Sequence, residues 1–154
     1  MKSRTKARSL ALQVLYEIDL TGHPPGSTFE HRLDENQLDE NLVDFSRKIV
    51  FGILPLVKQL DHLIAQHAPE WPLDQVAIID RNILRIALWE FAVAECTPIK
   101  VAINEAIELA KIFGSDSTPR FVNGVLGSLA NRQSEIKQSL APNKDERQAH
   151  QKSQ

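Results

Sequence analysis

Apolar residues return every third or fourth position along most of this chain, the repeat of a single helix face. Ala7, Leu10, Ala11, Val14, Leu15 and Ile18 set the pattern first and predict a helix over 4–20. Thr21-Gly22-His23-Pro24-Pro25-Gly26 then breaks it with residues that cannot carry a helix on, and a short helix around Phe29 to Leu33 follows. From Asp39 to about His67, Leu42, Phe45, Ile49, Val50, Ile53, Val57, Leu60 and Ile64 keep the spacing, which makes this the longest predicted helix. Pro55 falls inside it and has no N–H to offer the carbonyl of Phe51, so the helix should kink or split after Gly52. Pro69-Glu70-Trp71-Pro72 ends it.

The segment from Asp74 to about Glu95 is apolar nearly all round, the mark of a central helix wrapped by others. Its charged residues Asp80, Arg81, Arg85 and Glu90 are then expected where the helix meets solvent or another chain. Thr97-Pro98 opens the next helix with a capping residue and a proline at the first helical position. Val101, Ala102, Ala106, Leu109, Ala110 and Phe113 form its predicted buried face, and Gly114 closes it. Thr118-Pro119 repeats the start signal for a helix lined by Phe121, Val122, Val125, Leu126 and Leu129, ending near Asn131. A weaker helix extends to Leu140. No segment alternates like a strand between hairpin turns, and no period of 20 to 50 residues repeats. The reading is all-α: one helical bundle of about six or seven helices over 1–140. The tail over 141–154 is polar, lacks apolar partners and is expected to be disordered.

Composition narrows the class. A chain of 154 residues, 42% hydrophobic and 25% charged, has enough apolar surface for one ordinary core, which excludes wholesale disorder and a fibrous repeat. No run of 18 apolar residues exists, and the basic N-terminus runs into Glu17 and Asp19 without a signal-peptide core. A cytoplasmic protein with no membrane contact is expected. Cys96 is alone, so there is neither an internal disulfide nor a thiolate cluster.

Charge changes the picture more. The net charge of -2 hides a basic end: Lys2, Arg4, Lys6 and Arg8 precede the first acid, Glu17, and leave an excess of six acids over the rest of the chain. Such a separation points to an anionic partner at the N-terminus, although a basic start that merely aids solubility fits the composition as well. On a continuous helix these four side chains spread apart, whereas a frayed end lets several follow a nucleic-acid backbone.

Catalytic motifs are missing. The histidines form no metal-binding pair, and no nucleophile elbow, phosphate-binding loop or dinucleotide fingerprint occurs, so no enzyme, metal or cofactor is expected. Glu105 and Glu108 lie three apart on a helix and read as a solvated face, and Cys96 reads as a small filler. Arg120 and Phe121 stand at a helix N-terminus, where free N–H groups favour a phosphate, a ring can stack on a base and an arginine can take the backbone. A core phenylalanine beside a surface charge is the competing reading of the same pair.

Three stretches carry a family resemblance. They are Arg4 to Tyr16 with Ala11-Leu12-Gln13-Val14-Leu15-Tyr16, Gly52 to Ile64 with Asp61, and Asp80-Arg81-Asn82-Ile83-Leu84-Arg85-Ile86-Ala87-Leu88-Trp89-Glu90. More specific still is Pro98-Ile99-Lys100-Val101-Ala102-Ile103-Asn104-Glu105-Ala106-Ile107-Glu108-Leu109-Ala110-Lys111, followed by Phe113-Gly114 and Phe121-Val122-Asn123-Gly124-Val125-Leu126. In these the chain resembles the NusB family of bacterial transcription antitermination factors over nearly its whole length. The resemblance implies a compact helical domain that binds the boxA element of ribosomal RNA transcripts. It also implies a heterodimer with the small-subunit ribosomal protein that doubles as NusE, joining the RNA polymerase antitermination complex. By the same resemblance Lys2, Arg4, Lys6, Arg8, Arg120 and Phe121 are RNA contacts, and Asp74 and Asp80 are contacts to the NusE-like protein. The consecutive arginines frequent in the family are here interrupted by Ser, Thr and Ala, which shifts the expected affinity toward the partner. Two alternatives of other classes stand beside this: a detached domain related to the NusB-like part of RNA cytosine methyltransferases, and a structural helical homodimer.

Overall fold

The computed structural model describes residues 2–68 and 75–140. Among these residues it contains eight α-helices and no strand. They are α1 Ser3–Thr21, α2 Pro25–Asp34, α3 Glu40–Ile53, α4 Val57–Gln66, α5 Ile78–Leu88, α6 Ile99–Phe113, α7 Thr118–Ala130 and α8 Gln133–Leu140. The count exceeds the expected six or seven for two reasons. Pro55 does split the longest predicted helix, into α3 and α4 joined by the 3₁₀ turn Leu54–Leu56, and the weak C-terminal extension forms α8. The expected tail over 141–154 lies outside the described residues.

Helix α5 is the axis of the bundle, in contact with α1, α3, α4, α6 and α7. Ile83, Leu84, Ile86, Ala87 and Leu88 are buried on all sides of it, as an all-round apolar helix requires. Helix α1 lays Ala7, Leu10, Ala11, Val14 and Leu15 against this axis, and α3 and α4 add Ile49, Val50, Ile53, Leu60 and Ile64. Each valine, leucine and isoleucine among them contributes about 1.5–3 kcal/mol on burial. The nearly continuous helical stretch Glu40–Gln66 is by length and composition alone apolar enough to cross a membrane. Here its apolar stripe belongs to the core.

The end of α5 widens into a π turn, Trp89–Val93, in which the N–H of Ala94 donates to the carbonyl of Trp89 at 2.9 Å. Such turns insert an extra residue and re-aim the side chains around it. Trp89 consequently lies against Gly52 of α3, so closely that a β-carbon at 52 would sit 2.5 Å from the indole.

Several expectations are corrected. Arg85 and Glu90 do not reach solvent; they are 4% and 1% exposed. Arg85 is held by Asp61, through Nε at 2.7 Å and Nη2 at 2.6 Å, and by Asp19, through Nη1 at 2.6 Å. A central helix can carry charge inward only where opposite charge and hydrogen bonds meet it, and α1 and α4 supply them. Thr97 is not the cap of α6: it is buried, and its hydroxyl donates to Glu90 at 2.8 Å. Val101 is 45% exposed, because the face of α6 that packs inward runs through Ala102, Ala106, Leu109 and Ala110. Cys96 is exposed on the loop after the π turn and fills nothing.

Candidate nucleic-acid interface

Of the four basic residues that open the chain, Arg4, Lys6 and Arg8 sit on regular helix, and Lys2 precedes it as an extended N-cap residue. At 3.6 residues per turn, alternate positions fall about 200° apart. Lys2 and Lys6 therefore share one side of α1, and Arg4 and Arg8 share the other. Lys2 borders a depression shared with Asn104, Glu108 and Lys111 of α6, whereas Arg4 lies over the ring of Phe45 in α3, 4.7 Å from its centroid. Lys2, Arg4 and Lys6 are exposed, and none forms an ion pair among the described residues.

Arg8 departs from the expected role. It is 2% exposed and turned into the protein. Its Nε donates to Glu90 Oε2 at 2.9 Å, Nη2 to Glu90 Oε1 at 2.8 Å, and Nη1 lies 3.2 Å from Glu105 Oε2. Burial works against the charge, but the Glu90 hydrogen bonds and the carboxylates of Glu90 and Glu105 outweigh it and raise the guanidinium pKa. Position 8 falls on the buried side of α1 with Thr5, Ser9 and Leu12, so the helix phase decides its fate. Arg8 is a structural ion-pair partner and cannot reach a phosphate without leaving two carboxylates unpaired. Glu105 is corrected by the same cluster: it also accepts from Thr5 at 2.8 Å and is no solvated face, unlike the exposed Glu108.

At the other candidate element, Arg120 is exposed in the first turn of α7, and Phe121 is half-buried at the edge of the core. The ring of Phe121 packs against the core and is partly exposed. Both line a cleft of about 370 Å³ with Gln75, Val76, Ala77, Asp80 and Ser117. Asp80 accepts a hydrogen bond from the hydroxyl of Thr118 at 2.9 Å, and the same hydroxyl accepts the N–H of Ser115 at 2.9 Å. Thr118 thus ties α7 to α5. Gly114 allows this, because a β-carbon there would come within 2.5 Å of Thr118 Cβ. Burial pushes the Asp80 carboxyl above its ordinary pKa, with the Thr118 hydrogen bond acting the other way. Asp74 lies outside the described residues.

The site residues are thus distributed over separate depressions. Asp80, expected at the protein partner, shares one cleft with Arg120 and Phe121, expected at RNA, while Lys2 and Arg4 border two others. Phe45 was missed as a site residue, since its place in the apolar repeat of α3 gave it a core role. Among the described residues no group of three potential ligands could hold a metal ion. His67 is a hydrogen-bonding residue, its Nδ1 2.9 Å from the Ser128 hydroxyl.

A helical bundle with unpaired cations on its first helix and an arginine–phenylalanine pair opening a later one defines a class of small α-helical binding domain. The sequence profile of the NusB family matches residues 5–131, and the chain belongs to that family. It is 47% identical over 131 residues to the transcription antitermination protein NusB of Roseiflexus castenholzii, covering 84% of this chain and 92% of that one. To the protein of the same name in Bacillus subtilis it is 47% identical over 139 residues, covering 90% of this chain and all of the other. A crystal structure of the antitermination factors NusB and NusE in complex with double-stranded RNA contains a chain that superposes with a TM-score of 0.78 at 26% identity. The match covers 86% of this chain and 98% of that one.

Proposed function

We propose that this NusB-family chain acts in transcription antitermination as a non-enzymatic RNA-binding adaptor. It takes the boxA element of ribosomal RNA transcripts together with a NusE-like ribosomal protein and joins them to RNA polymerase in the bacterial cytoplasm. The observation that carries the reading is the set of exposed cations Lys2, Arg4 and Lys6, without ion pairs among the described residues, at the start of an otherwise acidic chain. Unpaired cations on a rigid helix bind a phosphate backbone by releasing its counterions. Arg120 and Phe121 provide a second contact, a guanidinium for the backbone and a ring margin for a base. Relatedness to NusB proteins, one of them solved with NusE and RNA, supports the same assignment of partners.

Asp80, with Asp74 by its place in the sequence, is the proposed acidic contact to the basic ribosomal protein. Charge complementarity of this kind steers association and sets register. Asp80→Lys should abolish or slow heterodimer formation while leaving the RNA binding of the isolated chain nearly unchanged, and a partner cation changed to Asp should restore it. The direct test of the whole reading is filter binding of a boxA RNA with and without the NusE-like protein. Retention of RNA that tightens when the partner is added is expected; no retention in either case would overturn the assignment.

A further inference from the structure

Between the start of α1 and α3 runs a second groove, of about 710 Å³, in which Arg4 is the one residue assigned a contact above. Arg4 and Lys48 stand on its rim, Phe45 and Phe51 on its walls, and Trp89 borders it from the π turn. We propose that this groove is a nucleobase subsite for single-stranded RNA, with Phe51 as the stacking ring and Arg4 and Lys48 as the phosphate contacts flanking it. This rests on the RNA-binding reading and adds to it a place where a base leaves the strand.

Three features make the groove ready for a base. Phe51 is 40% exposed, a large ring left open on one side, yet its position is fixed from behind by the buried Phe29, whose ring centroid lies 6.0 Å away. A ring held in place before the ligand arrives loses little entropy on stacking. Arg4 is already drawn over Phe45 and has no carboxylate partner among the described residues, which leaves its N–H groups for a ligand. The buried Trp89 indole packs against bare backbone at Gly52 and backs the groove from the π turn.

Charge chooses the occupant. The acid at the rim, Asp44, is offset by Arg47 at 3.4 Å, whereas Arg4 and Lys48 form no ion pair among the described residues. An apolar protein segment would strand those two cations, while a nucleotide satisfies rings and cations together, the combination by which proteins hold unpaired bases. The volume suits a ligand of nucleotide size.

The test uses the full chain with the NusE-like protein and boxA RNA. Phe51→Ala should weaken RNA binding about 5- to 160-fold, the range of a lost base–aromatic stack, with circular dichroism unchanged. Lys48→Ala should reduce the slope of log K against log salt by about 0.7, one phosphate of a single strand. A reading free of mutation comes from Cys96, the only cysteine of the chain and exposed at the edge of the groove. Saturating RNA should slow its alkylation by iodoacetamide severalfold. RNA that binds Phe51→Ala as tightly as wild type and leaves Cys96 alkylation unchanged overturns the subsite and leaves the adaptor function standing. RNA that fails to bind the wild-type pair overturns both. Protection of Cys96 that grows with protein concentration in the absence of RNA makes the groove a self-association face and also overturns the proposal.

Discussion

The start of α1 and the start of α7 are both basic, yet the fold uses their charge differently. At α1 three cations stay exposed without an ion pair among the described residues, and the fourth, Arg8, goes into an internal cluster with Glu90 and Glu105. At α7 a single arginine opens a small cleft beside a half-buried ring and a half-buried acid. The first region is a diffuse electrostatic surface, fit for affinity that depends on salt. The second is a shaped contact, fit for orientation. The difference comes from helix phase and neighbours, not from the number of basic residues.

The largest effect that sharpens this contrast belongs to Arg8. Arg8→Ala removes one side of a buried ion pair and leaves Glu90 stranded, so it should cost about 3–5 kcal/mol of stability, read by urea denaturation. The double variant Arg8→Met, Glu90→Leu should recover part of that loss, because the fully buried carboxylate goes with its partner and only the partly exposed Glu105 is left without its arginine. An Arg8→Ala protein as stable as wild type but deficient in RNA binding would return Arg8 to the RNA surface.

Next comes the shaped contact. Phe121→Ala should weaken RNA binding by about 1–3 kcal/mol through loss of base stacking, with a smaller cost in melting temperature than a fully buried ring would show. A large drop in melting temperature with unchanged RNA affinity would make Phe121 purely a core residue.

The smallest effect concerns Asp80. Its folded pKa is raised, while the unfolded carboxyl titrates near about 4. Between those values the folded chain holds a proton the unfolded chain has lost, so this residue's contribution is full below the unfolded pKa and is lost as pH rises through the folded one. Asp80→Asn should flatten that part of the stability profile, measured by denaturant melts across the mildly acidic range. An identical profile in the variant would show that Asp80 is not the titrating group.

Much of the fold was legible because period and punctuation agree. The 3.6-residue repeat of α1, the break at Pro55 and the start of α7 near Thr118 all stand where the pattern puts them. The extra helix boundaries arise from the split at Pro55 and the formed α8. Polar interior was not legible. Arg8 and Arg85 look like surface residues until helices distant in sequence bring Glu90, Glu105, Asp61 and Asp19 to them, and Glu90 and Thr97 become interior only through Arg8 and through each other. Thr118 hid in the same way, a helix-start residue whose hydroxyl joins α7 to α5. For the candidate site, sequence marked the ends of α1 and α7, but whether a cation faces out or in depends on what the fold places above it. Phe45 escaped because a ring at the edge of an apolar stripe has the same spacing as one inside it, and Phe51, outside the repeat, entered only as the carbonyl that faces Pro55.

The central claim is that the exposed cations of α1, without Arg8, form the electrostatic RNA contact, and the most direct measurement is the salt dependence of boxA RNA binding. Three phosphates neutralised on a single strand correspond to a contribution of about -2 to the slope of log K against log salt. Changing Lys2, Arg4 and Lys6 together to Ala should remove that contribution while leaving the helical circular dichroism and the melting temperature near their wild-type values. A slope that survives the triple change in a folded protein would contradict the account and place the electrostatic contact elsewhere.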